Sequence, residues 1–357
     1  MKTLFLFSLQ IILCSQTENV HFITVNKLIK KPEILYIKFH DPIHLHFNKF
    51  PIPSSETSTW NNPVIGESFV LTIAHCHVFS DTGIIIIESN TVIEELIWPW
   101  SNIKRNRKLS TNTPNTSVTI PGRIAMITQE GSHNYYHWIT EILPKIIMLE
   151  ELNIEYDWLY LPTLNTFMRE TLTLLKIDFS KIIVANKDTY IEADIVIAPS
   201  FVSKSCYSTP WVADALRKKF LPHVNKTEKK KVFISREKAS YRKIINEDEL
   251  FTILASKGFK KYHLEEMSFL EQVELFHNAE IIVAAHGAGL TNILFSEPGT
   301  KIYEIFQEHE DDAFWYLSQL LNLNHTCIKS TEFKKGGGYQ DTLIPAETLE
   351  FISKIIE

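Results

Sequence analysis

Apolar positions in the C-terminal third of the chain alternate between two rhythms. "KKVFISR" is an apolar run of strand length, "NEDELFTILASKG" repeats its apolar residues at helical spacing, and "FKKYHL" returns to a strand. That helix opens at Asn246 with Glu249 three residues on, and closes at Gly258. "SFLEQVELFHNA" predicts a second helix behind the capping box Ser268-x-x-Glu271, and "EIIVAAHG" follows as a continuous apolar strand. A helix from about Ala288, the strand "KIYEIF", the helix "DDAFWYLSQLL", the strand "HTCIKS" and the helix "PAETLEFISKII" complete the series. Strands alternating with helices of this length predict a parallel sheet covered on both faces, a Rossmann-like domain.

The first half is less regular. Residues 21–130 hold short extended runs such as "GIIIIESNTVIEELIW" among Pro, Asn and Ser breaks, which predict antiparallel strands and long loops. From Arg123 the pattern becomes α/β: strand "RIAMIT", long helix "NYYHWITEILPKIIMLEEL", strand "DWLYLP", helix "TFMRETLTLLK", strand "KIIVA". "WVADALRKKFLPHVNKTEKKK" predicts a helix running into a polar linker. The domain boundary is therefore expected near residue 225, with an N-terminal domain over 17–225 and a C-terminal domain over 226–357.

The length of 357 residues suits two domains, and 45 % apolar residues give each a core. A net charge of -6 leaves no global basic field for nucleic acid, and Lys229-Lys230-Lys231 reads as a solvated linker. Residues 1–16, with Lys2 ahead of an apolar run from Leu4 to Leu13, have the layout of a secretory signal peptide. Leu13 before Cys14 argues against lipidation, and no later stretch reaches the roughly 20 apolar residues of a membrane span. The expected location is the secretory lumen, the periplasm or the exterior if the leader functions, and the cytoplasm otherwise. Beyond the leader, Cys76, Cys206 and Cys327 form no CxxC, so neither a disulfide framework nor a thiolate zinc site is expected. The glycosylation triplets at Asn115, Asn225 and Asn324 are no more than chance supplies.

Chemistry concentrates where the run "IIVAA" ends in His286-Gly287-Ala288-Gly289. The carboxyl edge of a parallel sheet is where such folds bind ligands, and the helix that follows offers backbone N–H groups to an anion. Glycines admit a phosphate close to the backbone, and His286 adds a donor. Glu304 ends the next strand, where its carboxylate would meet ribose hydroxyls. Arg236 ends the first strand of the domain and Arg242 lies six residues on, so two guanidinium groups would clamp a diphosphate. A tight turn with solvated arginines is the plainer alternative. Asn292 stands where a dinucleotide fingerprint needs its third glycine, and no Gly-Lys-Ser/Thr is present, so a nicotinamide enzyme and a P-loop are disfavoured.

The segments "SREKASYRKIINEDEL", "MSFLEQVELFHNAE", "AAHGAGLTNILFSEPG" and, upstream, "HNYYHWITEILPKI" resemble the successive motifs of glycosyltransferase family 61. That family includes extracellular O-GlcNAc transferase, the O-mannose-linked GlcNAc transferases and plant xylosyl- and arabinosyltransferases. The resemblance runs from about Gly131 to Phe306 and does not reach residues 1–120. It implies a GT-B-like α/β fold, two Rossmann-like domains facing a cleft, with a strand-rich N-terminal extension. It implies an inverting, metal-independent transfer from a nucleotide-sugar donor, UDP-linked as first choice and carrying GlcNAc or a pentose, to a glycan or protein hydroxyl. It assigns Arg236, Arg242, His286, Gly287, Ala288, Gly289, Asn292 and Glu304 to the donor, and His133, Asn134, His137 and Glu141 to the cleft side of the N-terminal domain.

Inversion needs a base for the acceptor hydroxyl and stabilisation of the leaving diphosphate. His137 suits the base, with Glu141 one turn away to set its tautomer. The competing assignment makes Glu141 the base and His137 a donor contact. No Asp-x-Asp triplet of a manganese-dependent transferase is present, and "EHEDD" at 308–312 reads as a helix start. "LTIAHCHVF" imitates a serine-protease histidine motif without the matching serine motif, and His44-x-His46 and His75-x-His77 lack a third zinc ligand at a recognisable spacing. A catalytically inactive sugar-binding module of the same fold is the alternative from another class.

Overall fold

The computed structural model describes residues 20–48, 51, 63–79, 82–88, 91–98, 116–184, 189–306, 311–330 and 341–356. The expected leader with Cys14, Asn115 and residues 308–310 of the acidic run lie outside them. The chain divides into two compact units, one of residues 1–42, 66–166 and 176–202, the other of 43–65, 167–175 and 203–357.

Among the described residues, the first unit holds a nine-stranded mixed sheet. Its centre is the strand Thr189–Pro199, antiparallel to Ser68–Phe79 on one side and parallel to Thr116–Met126 on the other. The irregular N-terminal strands are therefore not an extension beside a Rossmann-like sheet but are joined to it edge to edge. Ser68–Phe79 makes this possible because it is buried nearly end to end, with Phe69, Leu71, Ile73, Cys76 and Val78 entering one core with Ile124, Ile191 and Val196.

The long helix expected from Asn134 is present in three pieces: α-helical Tyr135–His137, a π-helical stretch Trp138–Ile142 and α-helical Leu143–Glu151. Pro144 at the start of the last piece has no N–H to give to a helical ladder, a local reason for the widened turn before it.

The second unit is built on strands β1 (Lys230–Ile234), β2 (Lys260–Tyr262), β3 (Ala279–Ala285), β4 (Lys301–Phe306) and β5 (Asn324–Lys329). All pairs are parallel and the order is β2-β1-β3-β4-β5. Its helices are α1 (Pro210–Phe220), α2 (Glu247–Ser256), α3 (Phe269–His277), α4 (Ala313–Leu320) and α5 (Ala346–Ile355).

The units part at residues 202 and 203, ahead of the polar linker near 225. Helix α1 belongs to the second unit because Phe220 packs edge-on against Phe269, and Arg217 Nη1 donates to the carbonyls of Leu294 and Ser296 at 2.9 and 2.7 Å. The Ser268–Glu271 capping box forms as expected. Asn246 does not cap α2; its amide instead bonds the backbone of Ile344 in both directions, at 2.9 and 3.0 Å.

Candidate functional site

Strands β1 and β3 are neighbours, and the chain leaves them in opposite directions across the sheet. Their carboxyl ends form a topological switch point, the crevice where open α/β sheets take ligands. Arg236 stands just past β1 and His286-Gly287 just past β3, so two separate segments read from the sequence meet at this one edge.

The loop after β1 is pinned from below. Glu247, 6 % exposed, accepts from Ser235 Oγ at 2.5 Å and from the Arg236 backbone N–H at 3.1 Å, with Lys261 Nζ 3.3 Å away. Arg236 Nε donates to the Arg242 carbonyl and Nη2 to that of Tyr241, both at 2.9 Å, which turns Nη1 toward Gly287. A Cβ at residue 287 would overlap that nitrogen, so glycine is needed there for the guanidinium to lie against the backbone.

Arg242 holds φ at 59°, a left-handed conformation uncommon for a non-glycine residue. Burial first, then the nearby Arg242 charge, depress the pKa of Arg236. Since arginine stays charged, two adjacent cations at a sheet edge describe a place prepared for an anion.

The eight-residue 3₁₀ helix Ala288–Phe295, rather than an α-helix, begins beside them. Its first N–H groups lack partners within the helix. Ala288 and Gly289 are half-buried. Asn292 is fully buried and spends its amide on Gln272 and Gly289, fastening the helix rather than facing a ligand.

Glu304 is also not where the sequence placed it. It is 0 % exposed, with Oε1 2.6 Å from His286 Nδ1 and Oε2 3.0 Å from His325 Nε2. Its reach ends at the two histidines, because β4 lies inside the sheet and its side chain enters the interior. Burial raises its pKa, and His286 partly offsets this. His325 Nδ1 lies 2.7 Å from Ser318 Oγ, and burial pushes that histidine down to about 3, so it is neutral. His286 is stacked on Phe306, and its Nδ1 contact with Glu304 leaves Nε2 as the nitrogen not engaged by that carboxylate.

Among the described residues, two groups of side chains bring three ligand atoms within 4.8 Å of one another: Glu304, His325 and Cys327, and Cys206, Asp311 and Asp312. Sequence spacing did not show the first, which is made by the register of Glu304 with Cys327 across β4 and β5.

The first unit carries the other candidates. Asn134 is the N-cap of its helix, accepting from the Tyr136 N–H at 2.8 Å, and His133 is exposed beside it. His137 Nδ1 lies 2.9 Å from Glu141 Oε1; the His137 side chain is 19 % exposed and that of Glu141 3 %. Gly131, at φ 80°, comes so close to the His137 ring that a Cβ there would stand 3.3 Å from Cδ2, and Trp98 meets the ring edge-on.

Behind this pair lie two residues that sequence reasoning missed. Gln129 Nε2 donates to Glu141 Oε2 in a short hydrogen bond, and buried Lys145 donates from Nζ to Gln129 Oε1 at 2.8 Å. A lysine framed by Leu143, Pro144, Ile146 and Ile147 was the available signal.

A doubly wound parallel sheet with a cationic, glycine-bearing switch point makes the second unit an open α/β unit. Residues 135–303, 169 of the 357 in the chain, match the family model Glycosyltransferase 61. It is similar to EGF domain-specific O-linked N-acetylglucosamine transferase of Mus musculus, 26 % identical over 219 residues, which are 56 % of this chain and 41 % of the relative. The protein of the same name from Gallus gallus is 25 % identical over 219 residues, covering 56 % and 40 %. That from Xenopus laevis is 32 % identical over 90 residues, covering 24 % and 17 %. The longer matches thus span about two fifths of the relatives' length.

Proposed function

We propose that this protein is an inverting glycosyltransferase that moves a sugar from a nucleotide diphosphate donor to a hydroxyl of a glycan or protein. The observation that carries the reading is Arg236 lying against Gly287 at the switch point. There the guanidinium, backbone N–H groups and Arg242 offer charge to a diphosphate leaving group. The second unit holds the donor through Arg236, Arg242, His286, Gly287, Ala288 and Gly289, in a GT-B-like arrangement. With two arginines supplying the positive charge, the transfer proceeds without a metal ion.

UDP is the proposed nucleotide, and N-acetylglucosamine, the sugar in the relatives' name, precedes a pentose as the proposed sugar. His137 is the proposed base and Glu141 its partner, because the imidazole is reachable from solvent and the carboxylate is not. No described helix is long and apolar enough to cross a membrane, and a lumenal or secreted location is proposed with the leader.

The test is the melting temperature of residues 17–357 against UDP, GDP, ADP and NAD, with and without EDTA. A ligand at a hundred times its Kd adds about 2.7 kcal/mol, a shift of several degrees. A UDP shift that survives EDTA and is lost in Arg236→Ala is the expected result. A shift abolished by EDTA overturns metal independence, and no shift with any nucleotide leaves an inactive binding module.

A further inference from the structure

Four side chains form one line from the interior of the first unit to its surface: Lys145, Gln129, Glu141 and His137. Lys145 Nζ donates to Gln129 Oε1 at 2.8 Å, Gln129 Nε2 donates to Glu141 Oε2, and Glu141 Oε1 lies 2.9 Å from His137 Nδ1. The three inner residues are buried and the fourth is half-exposed. The Gln129 amide is thus held between a cation on its oxygen and an anion on its nitrogen, which orients it uniquely. Lys145 also stands 4.5 Å from the centre of the Phe201 ring, whose face favours a cation. The π-helical stretch Trp138–Ile142 lies between His137 and Lys145 on the segment that carries three of the four groups.

We propose that Lys145, acting through Gln129, is a positioning residue that keeps the His137–Glu141 pair one proton short at neutral pH, so that His137 Nε2 carries no proton when the acceptor hydroxyl arrives. The inference rests on the reading of His137 as the base. A buried carboxylate without a counter-charge gains a proton or draws one onto its partner. Both outcomes put a proton on His137 Nε2. In one, the imidazole becomes imidazolium; in the other, Glu141 donates to Nδ1 and the tautomer shifts. A cation two hydrogen bonds away prevents both.

Burial lowers Lys145 to about 8, with Glu141 opposing the shift, so the cation is present at neutral pH. The adjoining loop brings Glu130, half-buried, and His133, exposed. Trp98 and Phe201 also touch this line and do not ionise, and the phenol ring of Tyr136 meets His137 edge-on.

The test compares wild type with Lys145→Met and Gln129→Leu in two measurements. The first is the ¹⁵N spectrum of the histidine rings at pH 7, with the His137 signals identified by their loss in His137→Gln. The second is the pH profile of UDP-GlcNAc turnover. Expected are an unprotonated Nε2 in wild type, a protonated one in both variants, and a fall in kcat of at least tenfold at pH 7 with the donor KM within twofold. Variant activity recovers as pH rises, because alkali removes the extra proton, whereas a damaged fold gains nothing from it.

A wild-type Nε2 protonated at pH 8, or variants with unchanged spectra and profiles, overturns the proposal. If Lys145→Met does not fold, Gln129→Leu and the wild-type spectrum decide it. If wild type turns over no UDP-sugar at any pH, the transferase reading fails, and the spectra still judge the network.

Discussion

His286 follows the strand Ala279–Ala285 and Glu304 lies within its parallel neighbour Lys301–Phe306, with their Nδ1 and Oε1 atoms 2.6 Å apart in the protein interior. That contact holds the imidazole in place at the strand end that precedes Gly287, which Arg236 meets. Glu304→Gln keeps the shape but replaces the charged acceptor with an amide that can also present N–H to the ring. We expect UDP affinity to fall about tenfold, or roughly 1.4 kcal/mol, by isothermal titration. Unchanged affinity would show that His286 orientation is fixed by its stacking on Phe306 alone.

A methyl group at residue 287 tests the loop directly. In Gly287→Ala the new Cβ overlaps Arg236 Nη1, so the guanidinium must swing away from the backbone. The backbone itself, at φ 162°, is extended and tolerates alanine. Nucleotide affinity is expected to drop at least tenfold while the melting temperature stays within a few degrees. Gly289→Ala is the comparison: its Cβ would stand 2.7 Å from Leu264 Cδ1, the movable end of a side chain, and is expected to cost less affinity.

How far the sequence carries differs between the units. The five parallel strands of the second unit and the α-helices between and after them were legible, because buried parallel strands are continuous apolar runs and caps such as Ser268–Glu271 mark the helix starts. The placement of Arg236 and His286-Gly287 at one sheet edge was legible too, as charges and glycines at strand ends. Glu304 and Asn292 were misplaced in role, since periodicity fixes a position along a strand or helix but not what its side chain meets. Gln129 and His325 were invisible for the same reason, and Lys145 showed only as a charge inside an apolar run. Lys145 sits 16 residues from Gln129 in sequence, and its partner is defined only once the loop folds back over the helix.

Asn246 offers a test of stability away from any ligand. Its side chain accepts from the Ile344 N–H and donates to the Ile344 carbonyl, tying the start of α2 to the segment before α5. Asn246→Ala removes both bonds and leaves a half-buried backbone unpaired. The expected loss is about 1–3 kcal/mol, read as a lower urea midpoint at unchanged m-value. Nucleotide binding should be unaffected.

Lys145 predicts an unusual pH dependence. Its folded pKa of about 8 lies below the value of 10.5 it would have in an unfolded chain. Between these two pH values the unfolded state holds more of this proton, so the contribution of Lys145 to stability rises with pH through the window. Below pH 8 both states are protonated and burial of the charge costs its full amount, roughly 3 kcal/mol at about 1.36 kcal/mol per pH unit. Urea unfolding of wild type and Lys145→Met at pH 7.5 and 10 isolates the effect from other titrations. Wild type is expected to gain on the variant by a few kcal/mol as pH rises. A constant difference between the two proteins would mean that folding leaves the proton affinity of the lysine unchanged, and the cost assigned to burying its charge would fall with it.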